Sequence, residues 1–449
     1  MVSKMYEFKT ENDLKAFDEF VLANGGSFLQ CSQWPKVKGA WKPRFYSGFC
    51  DSERVLTCLV LMRKLPAAGA VWYISCGAVS DYKNEQLQKE FADFLKSEMK
   101  KAKATCAIVD PLIALRINGE DCKDGFYAHE MLTKCGYELN ADIETYTYKH
   151  PVQLFLKLKD ENGQVIPGDK ILKHCEKGVR YSVRIGTQRG LVAHTYTYDD
   201  IEKNPQIMKD FMSVMHDTSD RNDFVERDSE YCHNLISVFK DNTDITIVYY
   251  DKEIDRNLEE ERQAKKQVAI KALETAPEKK IRGLKDEIES IDKNTQSFEA
   301  RMEETKEYQQ DAKIPVAGGL TLRYAGVGSC LFGGTRNIVR NNTRSSHYLN
   351  YLRICKSIED GCNIHDLGYV LVKTPEITEQ GTLGKLEPTD NFVGICDFKK
   401  SFGSDYFEFI GEYILVGNRF KYFLYSKLMP KAKKLKMKFV KIIRKSQGK

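Results

Sequence analysis

Three consecutive stretches decide the fold: GGLTLRYAGVGSCLFGGT (318–335), SHYLNYLRICKSIEDG (346–361) and CNIHDLGYV (362–370). They read as strand, helix and strand, with glycines closing the first strand and Asp366 in the last. Much earlier the chain does the same thing. GAVWYISCGAV (69–79) is a strand with a glycine end, and CAIVDP (106–111) is a buried strand ending at Asp110. Between them runs a helix over about 84–103, with Leu87, Phe91, Phe94, Leu95, Met99 and Ala102 on one face. One plan occurring twice predicts an α/β (α+β) chain built from two similar domains.

Working outward from these stretches gives the boundaries. The first domain is expected over 1–153, completed by 405–426, and the second over 154–404. In the second, "GDKILKHCEKGVRYSVRIGTQRGLVAHTYT" reads as a basic helix followed by a strand, and "DITIVYY" as a buried β-branched strand. Residues 251–313 differ from everything around them. Charge dominates, and Ile281, Leu284, Ile288, Ile291, Thr295, Phe298 and Met302 repeat in steps of three and four. That is a heptad seam. Ile254, Leu258, Val268 and Ala272 hold the same register in the preceding half, with a turn at Pro277. The expected element is an antiparallel coiled-coil hairpin inserted in the second domain.

Charge is unevenly spread. The net is +5, yet residues 427–449 hold ten Lys/Arg and no acid. Leu428, Leu435, Phe439, Ile442 and Ile443 recur there at helical spacing, so the tail reads as a basic amphipathic helix. Such a helix suits an anionic membrane surface or a nucleic-acid backbone; a solvated helix packed on the body is the alternative. Thirteen scattered cysteines without a paired framework fit a reducing compartment. The N-terminus has no apolar signal region and no stretch is long enough to span a membrane, so a cytoplasmic protein is expected.

The usual chemical signatures are missing. There is no zinc spacing, Walker loop or nucleophile elbow, and no metal is expected. Arg323-Tyr-Ala-Gly326-Val-Gly328 matches the phosphate loop of coenzyme-A-dependent N-acetyltransferases. That loop must open a helix to present its N–H groups. Here strand-like SCLFGG follows, so the segment is expected to be a turn between two strands.

Seven stretches in order carry a family resemblance: FLQCSQWPKVKGAWKPRFY (28–46), IVDP (108–111), RNDFVERDSEY (221–231), IPVAGGL (314–320), LFGGT (331–335), HDLGYV (365–370) and DFKKSFG…EFIGEY (397–413). Together they resemble the Fem family, the aminoacyltransferases that build peptidoglycan interpeptide bridges from aminoacyl-tRNA. The resemblance implies two N-acetyltransferase-like domains in tandem with a hairpin arm in the second. It implies transfer of an amino acid from aminoacyl-tRNA, as co-substrate and without a resident cofactor, to an amine of a lipid-linked or nucleotide-linked precursor. By the same resemblance Lys399, with Phe398, stands at the acyl-transfer site, where its ammonium would stabilise an oxyanion. If that segment is extended, Lys400 faces the other way. Lys36 or Lys38, together with Arg227 and Tyr231, would hold the diphosphate and uridine-sugar part of the precursor. Asp110 would lie near the acceptor peptide and is the one candidate base, an ordinary Asp-Pro turn being the equal alternative. His365 and Tyr369 depart from the family's Tyr-Asp-Phe-Gly-Gly run around Asp366. Peripheral contact with the inner face of the plasma membrane and homo- or hetero-dimerisation complete the expectations. The competing readings are a transferase acting on another amine, and a catalytically dead RNA- or membrane-binding scaffold.

Overall fold

The structure, a computed structural model, describes residues 5–65, 69–146, 150–222, 224–308 and 311–427. The basic tail expected over 427–449 therefore lies outside the described residues from 428 onward. The chain forms two compact units. One comprises the residues up to Phe155, Leu367–Lys400 and the chain from Ser404; the other comprises Leu156–Asp366 and Ser401–Gly403. Residues 367–400, expected in the second domain, thus belong to the first unit.

In chain order the first unit opens with β1 (Tyr6–Thr10), α1 (Leu14–Ala23), α2 (Trp34–Val37), β2 (Lys42–Cys50) and β3 (Glu53–Leu65). Then come β4 (Gly69–Ser75), β5 (Val79–Ser80), α3 (Glu85–Lys101), β6 (Ala104–Asp110), β7 (Ala114–Ile117) and β8 (Glu120–Asp121). α4 (Lys123–Lys134), β9 (Tyr137–Leu139) and β10 (Val152–Lys157) follow. The second unit holds α5 (Gly168–His174), α6 (Lys177–Thr187), β11 (Leu191–Tyr196), α7 (Tyr198–Lys203), α8 (Gln206–Asn222) and α9 (Ser229–Phe239). It continues with β12 (Thr243–Asp251), α10 (Lys252–Thr275), α11 (Glu278–Glu304), β13 (Lys313–Tyr324) and β14 (Val327–Thr335). α12 (Arg340–Thr343), α13 (Ser345–Glu359) and β15 (Ile364–Tyr369) close it, and α14 (Val393–Lys400), β16 (Asp405–Phe409) and β17 (Tyr413–Val416) bring the chain home. This is the mixed α/β class expected.

The main sheet of the first unit runs β1-β2-β3-β4-β6-β17-β9. Among the described residues its one parallel pair is β4–β6, zipped from Ala70 opposite Ala104 to Ser75 opposite Asp110. The connecting helix α3 starts at the Asn84 cap and presents Leu87, Phe91, Leu95 and Met99 to the sheet. Phe8 lies 5.5 and 5.4 Å from the Phe91 and Phe94 rings. The smaller ribbon of this unit pairs Val152–Phe155 with β16, β16 with β7 and β7 with β8.

In the second unit β11, β12, β13 and β14 are antiparallel neighbours, and β14 pairs with β15 in parallel. Every residue of β12 is buried, as its β-branched run demands. The acetyltransferase-like loop is a turn. Tyr324 faces Val327, and Ala325 and Gly326 both have positive φ, which a two-residue hairpin with right-handed strand twist requires. α13 lays Arg353 across the sheet. Its guanidinium is 3% exposed and donates to Thr321 Oγ1 (2.9 Å) and the Leu320 carbonyl (2.7 Å). A Cβ at Gly319 would come within 2.7 Å of its Cζ, so only glycine leaves room for the arginine there.

α10 and α11 form the helical hairpin, and α11 turns its expected seam inward, with Ile291 8% exposed. α10 does not. Ile254 and Val268 are 37% and 68% exposed, and Ala272 is exposed too. Leu258 is partly buried, and the buried face of α10 is mostly polar, with Ala269 its apolar member. Glu259 Oε1 accepts from Thr295 Oγ1 and Gln263 Nε2, both at 2.6 Å, and Lys266 pairs with Asp292. At the root Arg301 forks onto Asp255 (2.7 and 2.8 Å), both side chains fully buried, with the Tyr250 hydroxyl donating to the same carboxylate at 2.6 Å. Pairing the charge bidentately and adding a third donor offsets the desolvation of a buried ion pair. One turn lower, Glu304 accepts from the Val339 N–H (2.6 Å) and the Asn342 amide (3.1 Å). The arm is thus rooted in the second unit by charge together with Met302, which packs on the core cluster around Val248 and Ile314.

Candidate active site

The carboxyl ends of parallel strands are where open α/β sheets present ligands, and β4 and β6 end at Ser75 and Asp110. Asp110 is 5% exposed. Its Oδ2 accepts from the Tyr73 hydroxyl and its Oδ1 from the Cys76 N–H, both at 2.6 Å. Burial and then the neighbouring Asp110 charge push the Tyr73 pKa far up, so the phenol stays a donor. Asp110 is more than a turn residue: it ties the ends of the two parallel strands together.

Gln30, fully buried ahead of α2, donates to the Ser75 carbonyl (2.6 Å) and accepts from the Leu59 N–H (2.9 Å). It pins the QWPKVK segment to the same strand end. α2 buries Trp34, Pro35 and Val37. Lys38 lies over the Trp34 ring at 4.9 Å, whereas Lys36 is exposed. The structure separates the two lysines that sequence left as alternatives, and Lys36 is the one facing solvent.

Below Asp110 is a small cavity bordered by Tyr146, His150, Phe409 and Gly411. A Cβ at Gly411 would come 2.6 Å from the Tyr146 hydroxyl, so glycine is what admits that phenol. The His150 ring stacks on Tyr369 (5.0 Å, 26°). The Tyr369 carbonyl accepts from Lys399 Nζ at 2.8 Å. Lys399 is thereby linked, through Tyr369, to His150 in the wall of the Asp110 cavity.

The segment carrying Lys399 is helical, not extended. α14 buries Cys396 and ends with Lys399 and Lys400 in its last turn, where cations complement the helix dipole. Ser404 Oγ donates to the Lys399 carbonyl (3.0 Å), and Gly403 takes the left-handed φ that stops the helix. The two lysines still part company, because a helix turns about 100° per residue. Lys400 lies 4.6 Å over the Tyr406 ring. Phe398 is partly buried on α14, whereas Phe402 is fully buried in the second unit, stacked on His347 at 6.2 Å.

Arg227 and Tyr231 meet in the second unit. Asp228 caps α9 by accepting from the Tyr231 N–H (2.8 Å), and the exposed Arg227 guanidinium lies 4.9 Å over the Tyr231 ring. Burial raises the Tyr231 pKa and Arg227 opposes the shift. Tyr231 also meets the Phe332 ring edge-on at 6.3 Å. Tyr73, Tyr146 and His150 belong to the candidate site and were not named from sequence, and Tyr369 was named there only as a departure from the family's run. Each enters through a long-range contact, and Tyr369 acts through its carbonyl, which leaves no mark on residue type.

Two α/β units on matching strand–helix–strand plans, the second bearing a helical arm, define a two-domain α/β transferase-type scaffold. The FemAB family model matches residues 13–429, and the chain belongs to that family. It is similar to the lipid II:glycine glycyltransferase of Staphylococcus saprophyticus, with 24% identity over 442 residues covering 96% of this chain and 98% of that protein. The enzyme of the same name from Staphylococcus aureus is 25% identical over 437 residues, covering 94% and 96%. Among solved structures, the crystal structure of FemX matches with a TM-score of 0.69 at 21% identity, covering 93% of this chain and 99% of that one. That likeness establishes the fold. Among the described residues no helix is long and apolar enough to cross a membrane.

Proposed function

We propose that this chain transfers an amino acid from aminoacyl-tRNA to an amine of a peptidoglycan precursor of the lipid II class. Family membership and the names of the relatives support the acyl transfer and the precursor. The observation that carries the mechanism is Lys399, held by the carbonyl of Tyr369, whose ring stacks on His150 in the wall of the Asp110 cavity.

The neutral acceptor amine attacks the carbonyl carbon of the aminoacyl ester. A C–N bond forms and the carbonyl oxygen becomes an oxyanion. The ammonium of Lys399, steadied by the Tyr369 carbonyl, would stabilise that oxygen as charge develops. Collapse breaks the ester C–O bond, and the ribose oxygen leaves with the proton lost by the amine. Asp110 and the Tyr73 hydroxyl keep the two strand ends fixed around the reacting groups. In the second unit the exposed Arg227 carries a flat fork suited to paired phosphate oxygens of the precursor.

The test is transfer of labelled amino acid from a panel of charged tRNAs to lipid II and to the soluble nucleotide-linked precursor. Label should appear on the precursor, faster on the lipid-linked form. No transfer to either acceptor from any charged tRNA would overturn the reading.

A further inference from the structure

The basic helix of the second unit has a use that neither its fold nor the acyl-transfer site accounts for. Residues 177–198 contain Lys177, Arg180, Arg184 and Arg189 and no carboxylate. α6 buries Val179, Ser182, Val183, Ile185 and Gly186. Its opposite face shows Lys177, Arg180, Tyr181, Arg184 and Gln188 to solvent, at i, i+3, i+4, i+7 and i+11. A cation thus recurs about every helical turn, or ~5.4 Å. Tyr181 stands among them half exposed, with the Arg184 guanidinium 5.7 Å from its ring.

The neighbours add to the charge. Arg344, exposed, lies between α12 and α13, both of which pack on α6. The His347 pKa is pushed down to about 4 by burial and by Arg344. Arg189 is likewise lowered by burial and by the cations Arg301 and Arg262. Arg180 is steadied by the Lys173 and Cys175 carbonyls, and Lys173 is paired with Asp169. Lys177, Arg184 and Arg344 have no carboxylate partner among the described residues.

We infer that this face of α6, with Arg344, is a docking surface for an RNA backbone, Tyr181 serving as a platform for one unpaired base. The inference rests on the proposed use of aminoacyl-tRNA and says which surface receives the donor. Cations at regular spacing with an interleaved aromatic ring are the chemistry that tracks a phosphate chain and stacks a base. A lipid surface fits less well. Membrane-lying helices insert their apolar side, and the apolar side of α6 is already core.

The probe is an uncharged RNA hairpin of acceptor-stem length with a single-stranded 3′ end, titrated against the full chain by fluorescence anisotropy at several salt concentrations. Neutralising Lys177→Gln with Arg184→Gln should weaken binding about 10-fold and flatten the log K against log salt slope by ~1.4, two contacts at ~0.7 each. The Lys177→Glu, Arg184→Glu pair should weaken it further. Tyr181→Ala should cost about 5-fold or more without changing the slope. Binding to phosphatidylglycerol vesicles should be unaltered in all three. Thermal melting checks the fold, and the neutralising pair is decisive if the reversed pair melts early. Unchanged RNA affinity and slope overturn the inference, as does a loss that falls on vesicles instead. Because the hairpin carries no amino acid, RNA binding without transfer would sink the proposed function and leave the surface standing.

Discussion

The two units end their parallel strand pairs in the same way and then diverge. In the first, β4 and β6 pair through to Ser75 opposite Asp110. In the second, β14 and β15 pair over three positions only, to Ser329 opposite Asp366. Beyond Asp110 lies a cavity with Tyr146, His150 and Gly411 on its wall. Near Asp366 the buried polar groups pair with one another. Arg353 spans the strands, and His365, fully buried, sits between Cys330 Sγ (3.2 Å) and Ser357 Oγ (2.8 Å). The difference teaches that one strand end borders a cavity, while near its counterpart buried polar groups are paired with one another. The first adjoins the candidate site and the second is part of the packed core.

The largest test of that division is Arg353→Ala. Losing a buried guanidinium with its two bonds and its volume should destabilise the protein by about 3–5 kcal/mol. Urea unfolding measures it, and a loss below about 1 kcal/mol would show that the second strand end is not structural. Next is Lys399→Met, which should slow transfer by ~10²-fold, about 2.7 kcal/mol of barrier, with the melting temperature nearly unmoved. Normal turnover, or a defect lying wholly in precursor affinity, would remove Lys399 from the chemistry.

A third prediction separates the units by pH. Burial, then Arg353 and Arg323, lower the His365 pKa to about 3, against an ordinary value of 6.5. The unfolded chain therefore binds a proton that the folded one refuses. Above pH ~6.5 this has no effect, and below it stability falls by up to about 1.4 kcal/mol per pH unit until the folded value is reached. His347, lowered to about 4, acts in the same direction. His365→Asn should flatten the stability profile between pH 6.5 and 4.5, and an unaltered slope would acquit the histidine. The smallest effect is expected from the arm. Replacing 270–288 with a short Gly/Ser linker removes the tip but keeps Lys266 with Asp292 and Asp255 with Arg301. Stability should change by less than about 1 kcal/mol, and aggregation would show that the tip has a structural role. Excision of the whole of 252–312 is a different experiment, because it also removes the partners of Tyr250 and Val339.

The doubled plan was legible because strand–helix–strand units announce themselves through period and punctuation. The Leu87, Phe91, Leu95, Met99 face could only be a helix lying on a sheet. α14 was not legible as a helix: Phe398 and Phe402 around two lysines suggested an extended edge, and only the Ser404 cap and the Cys396 core contact reveal the turn. On α10 the apolar residues pointed to the wrong register. Ile254 and Val268 face solvent, and the positions turned to α11 are taken by Asp255, Glu259 and Lys266, which find partners across the hairpin. Of the site, Lys399 and Asp110 could be named from the resemblance, but the bridge between them could not. It runs through His150 and the carbonyl of Tyr369, groups far apart in sequence.

The arginine laid across the second sheet has a historical consequence. A Cβ at Gly319 would meet Arg353 Cζ at 2.7 Å, and one at Gly333 would meet its Nη1 at 3.2 Å. The three positions are therefore locked in an order of change. A lineage that gains alanine at 319 first crowds the guanidinium, whereas one that first shortens Arg353 frees the glycine. The same substitution is then harmful or harmless according to what preceded it, so drift at this sheet face runs along a one-way path set by a single side chain.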